Sequence, residues 1–129
     1  MDKEIIVTEK AASPIGPYSQ AVRVGELLFI SGQGGIDPTN GELAEGIQKQ
    51  TKQALENLKG ILEASGSSFD EVVKVNVFLT NIDNFSVMNE VYASYFTEQF
   101  PARCCVEVSR LPKEAEVEIE MIALCKKSI

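Results

Sequence analysis

Apolar and polar residues alternate along this chain with two different periods, and the switches between them mark its elements. Ile5 to Val7 reads as a short first strand. Ala11 to Gly16 is a Pro/Gly loop, and Pro17 fixes the approach to Tyr18. Ser19 to Val24 and Leu27 to Ser31 read as a hairpin around Gly25-Glu26. Gly32-Gln33-Gly34-Gly35 should break the second of these strands, and Asp37-Pro38-Thr39-Asn40-Gly41 should turn the chain. From Gly46 to Ser65 the period becomes helical. Ile47, Thr51, Ala54, Leu55, Leu58, Ile61 and Leu62 form one stripe, and Gly66 is placed to end it. Val72 to Thr80 returns to alternation, with Val73, Val75, Val77 and Leu79 on one face and Lys74, Asn76 and Phe78 on the other. Asp83 or Asn84 starts a second helix carrying Phe85, Met88, Val91, Tyr92, Tyr95 and Phe96. Pro101 opens a strand through Arg103, Leu111-Pro112-Lys113 turns the chain, and a last strand runs from about Glu116 to Cys125.

The order β-β-β-α-β-α-β-β predicts an α+β fold: one sheet of about six strands, covered on one face by two helices. In the strand after Pro101, Cys104, Val106 and Val108 share one face, which should meet the core. Arg103, Cys105 and Glu107 share the other. In the last strand Val117, Ile119, Met121 and Ala123 oppose Glu118, Glu120, Ile122 and Leu124. The second sheet face is thus expected to carry Arg103, Cys105 and Glu107 beside Glu118, Glu120, Ile122 and Leu124. That mixture is too apolar at one end for a plain wet surface, so this face should meet other copies of the chain.

Composition narrows the chemistry. The chain has 129 residues and reads as one domain over 1–129. Its net charge of −7 repels phosphate backbones, and Lys126-Lys127 is its densest basic point, so no nucleic-acid partner is expected. No apolar run reaches spanning length and the start shows no cleavage-like segment, so no membrane partner is expected. The three cysteines make no disulfide framework: Cys104 and Cys105 are neighbours that point apart, and Cys125 is odd. A reducing, cytoplasmic location fits that pattern. The chain has no histidine, which removes the commonest acid/base catalyst, the Cys–His nucleophile pair and the usual zinc signatures. Gly32, Gly34 and Gly35 lack the helix and lysine context of a dinucleotide or Walker loop. No cofactor and no metal are expected.

What remains is arginine, carboxylates, hydroxyls, thiols and backbone. Arg103 is permanently charged, and its planar fork matches a carboxylate through two parallel hydrogen bonds. It reads as a carboxylate clamp at the mouth of a strand, with Cys105 beside it, or as a structural arginine paired with Glu107. Glu118 and Glu120 are two solvated glutamates, or one of them orients and activates water. Tyr18 follows a rigid Gly-Pro turn and either packs on the core or lines a site. Ser31-Gly32 ends a strand where backbone can approach a ligand closely, or simply terminates it. Asn89 on the second helix points to the strand ends or into solvent.

The motifs around these residues resemble one family. Ile15-Gly16-Pro17-Tyr18-Ser19-Gln20-Ala21, Ile30-Ser31-Gly32-Gln33, and Phe100 to Lys113 followed by Val117-Glu118-Ile119-Glu120 are similar to the motifs of the Rid family of reactive-intermediate deaminases, also called the YjgF or liver perchloric-acid-soluble protein family. The likeness spans nearly the whole chain. It implies a chorismate-mutase-like fold and a homotrimer whose sheets form a central barrel, with sites in clefts between subunits. It also implies hydrolysis of 2-aminoacrylate, 2-iminobutanoate or 2-iminopropanoate to 2-oxo acids and ammonia. Carried over, Arg103 would bind the substrate carboxylate, Cys105 would line the site, Glu118 would hold the attacking water, and Tyr18, Ser31, Gly32 and Asn89 would line the pocket. Two positions depart from the family pattern: Gly34-Gly35, where many members carry an apolar residue and Pro, and Cys104, where Ser or Ala is common. A small-molecule module that senses 2-oxo acids, and a ribonuclease, are the alternative functions.

Overall fold

A computed structural model describes residues 2–126. Lys127 of the basic pair lies outside them. Six strands form one sheet: β1 (Lys3–Ile6), β2 (Ala21–Val24), β3 (Leu27–Gly34), β4 (Val72–Leu79), β5 (Ala102–Glu107) and β6 (Val117–Leu124). Two helices, α1 (Gly46–Ala64) and α2 (Phe85–Ala93), connect β3 to β4 and β4 to β5. The sheet order is β1-β2-β3-β6-β4-β5. β6 is antiparallel to both β3 and β4, and β4 runs parallel to β5. A parallel pair needs a crossover, and α2 supplies it.

α1 forms where its apolar period demands. Leu55, Leu58, Ile61 and Leu62 are fully buried against the sheet, and each stabilises the fold by about 1.5–3 kcal/mol relative to exposure. The helix ends as Gly66 predicts. Gly66 has a φ of 78°, its N–H donates to the Glu63 carbonyl, and the Ser67 N–H donates to the Leu62 carbonyl. These two bonds satisfy carbonyls the helix leaves open. α2 is shorter than its apolar pattern suggests. It ends at Ala93, and Tyr95 and Phe96 lie beyond it.

Four sequence expectations need correction. β3 is not broken at Gly32; it continues to Gly34, with a register shift between Ile30 and Gln33. Val73 leaves the core side of β4, because a second irregularity between Val72 and Lys74 gives Val72 the buried place. The second helix is not started by a side-chain cap at Asp83 or Asn84. Asn81 instead accepts the Asp83 N–H at 2.9 Å and opens a short 3-10 turn before α2.

The fourth concerns β5. Its register sets Arg103 beside Val75, Cys105 beside Val77 and Glu107 beside Leu79. Those three partners are fully buried, so Arg103 and Cys105 lie on the helix side, and Cys104 and Val106 lie on the second face. The physical reason is that the second face carries apolar residues as well as polar ones. The second face carries Val22, Leu27, Phe29, Phe78, Ile122 and Leu124, with Phe29 43% exposed. Alternation alone cannot choose between two sides that both carry apolar residues.

Candidate active site

The predicted site residues fall into two groups on opposite faces of the sheet. Tyr18, Ser31, Gly32, Glu118 and Glu120 line a cleft of about 350 Å³, together with the apolar Ile15 and Ile36. Arg103 and Cys105 do not line it. They stand on the helix side of the edge strand β5. Two strand spacings separate β6 from β5, about 10 Å. Within one chain, no small ligand touches both Glu118 and Arg103.

Backbone irregularity builds the cleft. The shift at Ser31-Gly32 brings Gly32 under Glu118, and a Cβ at Gly32 would stand 2.8 Å from the Glu118 carboxyl carbon. Only glycine leaves that carboxyl its place. Burial pushes the Glu118 pKa up, and the neighbouring charge of Glu120 adds to the shift. The Glu118 carboxyl makes no hydrogen bond among the described residues, whereas that of Glu120 accepts one from the Asn76 amide at 3.2 Å. A half-buried, unengaged carboxyl of raised pKa is suited to take up and return a proton.

The cleft walls are pinned by two buried glutamines, neither singled out as a site residue by its sequence pattern. Gln20 accepts the Thr8 N–H at 2.8 Å and donates to the carbonyls of Thr8 and Ala12, each at 3.0 Å. It thereby holds the loop leading to Ser13 and Ile15. Gln50 accepts the Glu116 N–H at 2.8 Å and donates to its carboxylate at 3.2 Å, holding the segment that brings Pro112 and Ala115 to the cleft. A glutamine at a buried position of the helical stripe or the strand period was the available signal. Tyr18 folds back so that its hydroxyl accepts the Ile15 N–H at 3.2 Å, and the Ser31 hydroxyl donates to the Ser19 carbonyl at 2.6 Å.

Arg103 lies in an aromatic setting. Its guanidinium carbon stands 4.7 Å from the ring centre of Tyr92 and 5.6 Å from that of Phe85. Both rings come from α2, seven residues apart on one stripe, and helical spacing puts Asn89 between them. No acidic side chain pairs with Arg103 among the described residues. Glu107, the obvious candidate, accepts the Ile82 N–H at 2.9 Å instead. Burial pushes the Cys105 thiol up, against the opposing pull of the Arg103 charge, which disfavours the reactive thiolate. Among the described residues, no group of three or more acidic or cysteine side chains is placed to hold a metal ion. No helix among them is long and apolar enough to cross a membrane.

Comparison with known proteins covers nearly the whole chain. A family profile described as endoribonuclease L-PSP matches residues 8–125. A RutC family protein of Pyrococcus horikoshii is 58% identical over 94% of this chain and 97% of its own. The human 2-iminobutanoate/2-iminopropanoate deaminase is 46% identical over 95% of this chain and 90% of its own. The crystal structure of RidA from an Antarctic Psychrobacter superimposes with a TM-score of 0.92 at 49% identity, covering 94% of this chain and 98% of that one. Motifs, fold and relatives agree, and the chain belongs to the endoribonuclease L-PSP family, the Rid or YjgF family.

Proposed function

We propose that this protein is a hydrolytic deaminase of small 2-imino acids, 2-iminobutanoate and 2-iminopropanoate, and of the enamine 2-aminoacrylate. It releases 2-oxo acids and ammonia. The observation that carries this reading is Arg103, a partly buried cation whose hydrogen-bond donors have no acidic partner among the described residues. Its fork is available for a substrate carboxylate. The name of the human relative points to the same chemistry.

The reaction balances with water alone. Glu118 takes a proton from water as its oxygen bonds to the imine carbon. That proton passes to nitrogen to give the carbinolamine. The hydroxyl proton then moves to nitrogen as the C–N bond breaks, the C=O bond forms and ammonia leaves. The enamine enters the same path after its methylene carbon takes a proton and its N–H gives one up. Orientation of water and substrate supplies the rate gain, and a thousandfold gain requires about 4 kcal/mol. Arg103 and Glu118 must meet on one substrate, yet they lie on opposite faces of one sheet. The chain therefore acts as a homotrimer in which Arg103 of one copy faces Glu118 of the next. The apolar second face, with Phe29, Ile122 and Leu124, is the surface such an assembly would cover.

The test is turnover of enzymatically generated 2-aminoacrylate by the purified protein beside an Arg103→Ala control. Accelerated release of pyruvate and ammonia by the wild type alone is expected. A wild-type rate equal to the protein-free rate would reject the deaminase reading and leave a 2-oxo-acid-binding module, and equal acceleration by both proteins would remove Arg103 from the chemistry.

A further inference from the structure

We propose that Tyr92 is the positioning residue for Arg103: the face of its ring seats the guanidinium and sets the direction in which the fork meets a carboxylate. This rests on the reading of Arg103 as the carboxylate anchor. A long arginine side chain on an edge strand needs something to hold it. An acidic partner would do so by occupying the N–H donors that a ligand requires. An aromatic face holds the cation through its plane and leaves the in-plane donors open. The guanidinium carbon stands 4.7 Å from the Tyr92 ring centre, with Phe85 as a second, looser contact at 5.6 Å.

The seat itself is fixed. Tyr92 is only 7% exposed. Its ring stacks on Phe96 at 4.5 Å, and Phe96 meets Phe69 edge-on at 5.1 Å. Arg103 therefore sits at the open end of an aromatic column anchored in the core. The Tyr92 hydroxyl is buried and makes no hydrogen bond of good geometry. Burial raises the pKa of that hydroxyl, and Arg103 opposes the rise through its charge and through a looser side-chain hydrogen bond. The guanidinium is thus the donor beside that hydroxyl.

Three variants and two readouts test this. Tyr92→Leu removes the ring face, Tyr92→Phe keeps it, and Phe96→Leu weakens the column while leaving the seat. In Tyr92→Leu, KM for 2-iminobutanoate and Kd for 2-oxobutanoate should both rise about tenfold, with kcat within about twofold of wild type. Tyr92→Phe should stay within about threefold of wild type on both. Phe96→Leu should lower Tm without moving KM. By NMR, the Arg103 Nε–H resonance should be shifted upfield by the ring in wild type and Tyr92→Phe, and released in Tyr92→Leu. Unchanged KM and Kd in Tyr92→Leu would overturn the proposal, as would an equal rise in KM in Phe96→Leu. If the wild type neither turns over the imine nor binds the 2-oxo acid, the deaminase reading fails by itself. The resonance then decides the seat, and a shift that survives in Tyr92→Leu overturns it.

Discussion

Arg103 and Glu118 divide the proposed work by what each can do with a proton. The guanidinium never releases one, so it can only bind and orient. Arg103→Lys keeps the charge but loses the planar fork. We expect kcat/KM to fall roughly 10- to 100-fold in Arg103→Lys, the loss of one or two charged hydrogen bonds, and further in Arg103→Ala, with the fold intact by circular dichroism. Near-normal kinetics in the lysine variant would show that the fork is not used. Glu118 carries the titration. Its pKa is raised by burial and then by Glu120, and the base must be ionised to accept a proton. Activity should therefore fall on the acid side at a pH above the ordinary glutamate range. Glu120→Gln removes one cause of the rise and should move that limb to lower pH with little loss of kcat. Glu118→Gln should lower kcat by about 10²- to 10⁴-fold and abolish the limb. The linkage has the opposite consequence for stability. Because the folded pKa is raised, the contribution of this group is fully present below the ordinary carboxylate pKa and is lost as pH rises through the folded value. Thermal melts should accordingly show Glu118→Gln more stable than wild type at pH 7 and level with it at acid pH.

At the scale of elements, the consecutive glycines after Gln33 separate by geometry. A Cβ at Gly35 would lie 2.5 Å from the Gln50 Cα and 2.6 Å from its carbonyl oxygen, so β3 and α1 approach closely only because that position is bare. A Cβ at Gly34 meets Ala115 at an ordinary 3.6 Å, at the edge of the cleft. Gly35→Ala should lose on the order of 3 kcal/mol in urea denaturation, because backbone rather than a flexible side chain must move. Gly34→Ala should stay within about 0.5 kcal/mol of wild type, as a substitution without a clash does. Equal losses would mean that the close approach of helix and strand relaxes at little cost. Gly34-Gly35 is the pair that departs from the family pattern. The structure divides that departure into one packing position and one cleft position.

At the scale of the whole molecule, the proposed trimer makes two linked predictions. Phe29 stands on the apolar second face beside Ile122, its partner in register on β6. Placing a charge there should oppose association, so Phe29→Asp should sediment as a monomer at micromolar concentration where the wild type sediments as a trimer. The monomer should be folded and inactive, since one chain presents only half of the site. A mixing experiment isolates that claim. Arg103→Ala and Glu118→Gln chains, each inactive alone, should regain about a quarter of wild-type turnover when refolded together in equal amounts, because three quarters of such trimers are mixed and each holds one intact site. No recovery would place Arg103 and Glu118 in the same protomer or in separate roles.

The order of elements, the single helix-covered sheet, the stripe of α1 with its Gly66 ending, and the alternation of β6 were all determined by the chain itself, because each depends on local period and local turn chemistry. The candidate residues were legible too, since an arginine after Pro-Ala and glutamates on a strand are visible without coordinates. The side of the sheet that Arg103 takes was not legible. Both faces of this sheet carry apolar residues, so in β5 parity marks two sides without saying which one the helices cover. The hydrogen bonds that insert β6 between β3 and β4 and set Cys105 beside Val77 join residues far apart in sequence, and local pattern holds no record of such pairings. Tertiary structure alone therefore decided that Arg103 rests on the rings of α2 while Glu118 opens on the opposite face.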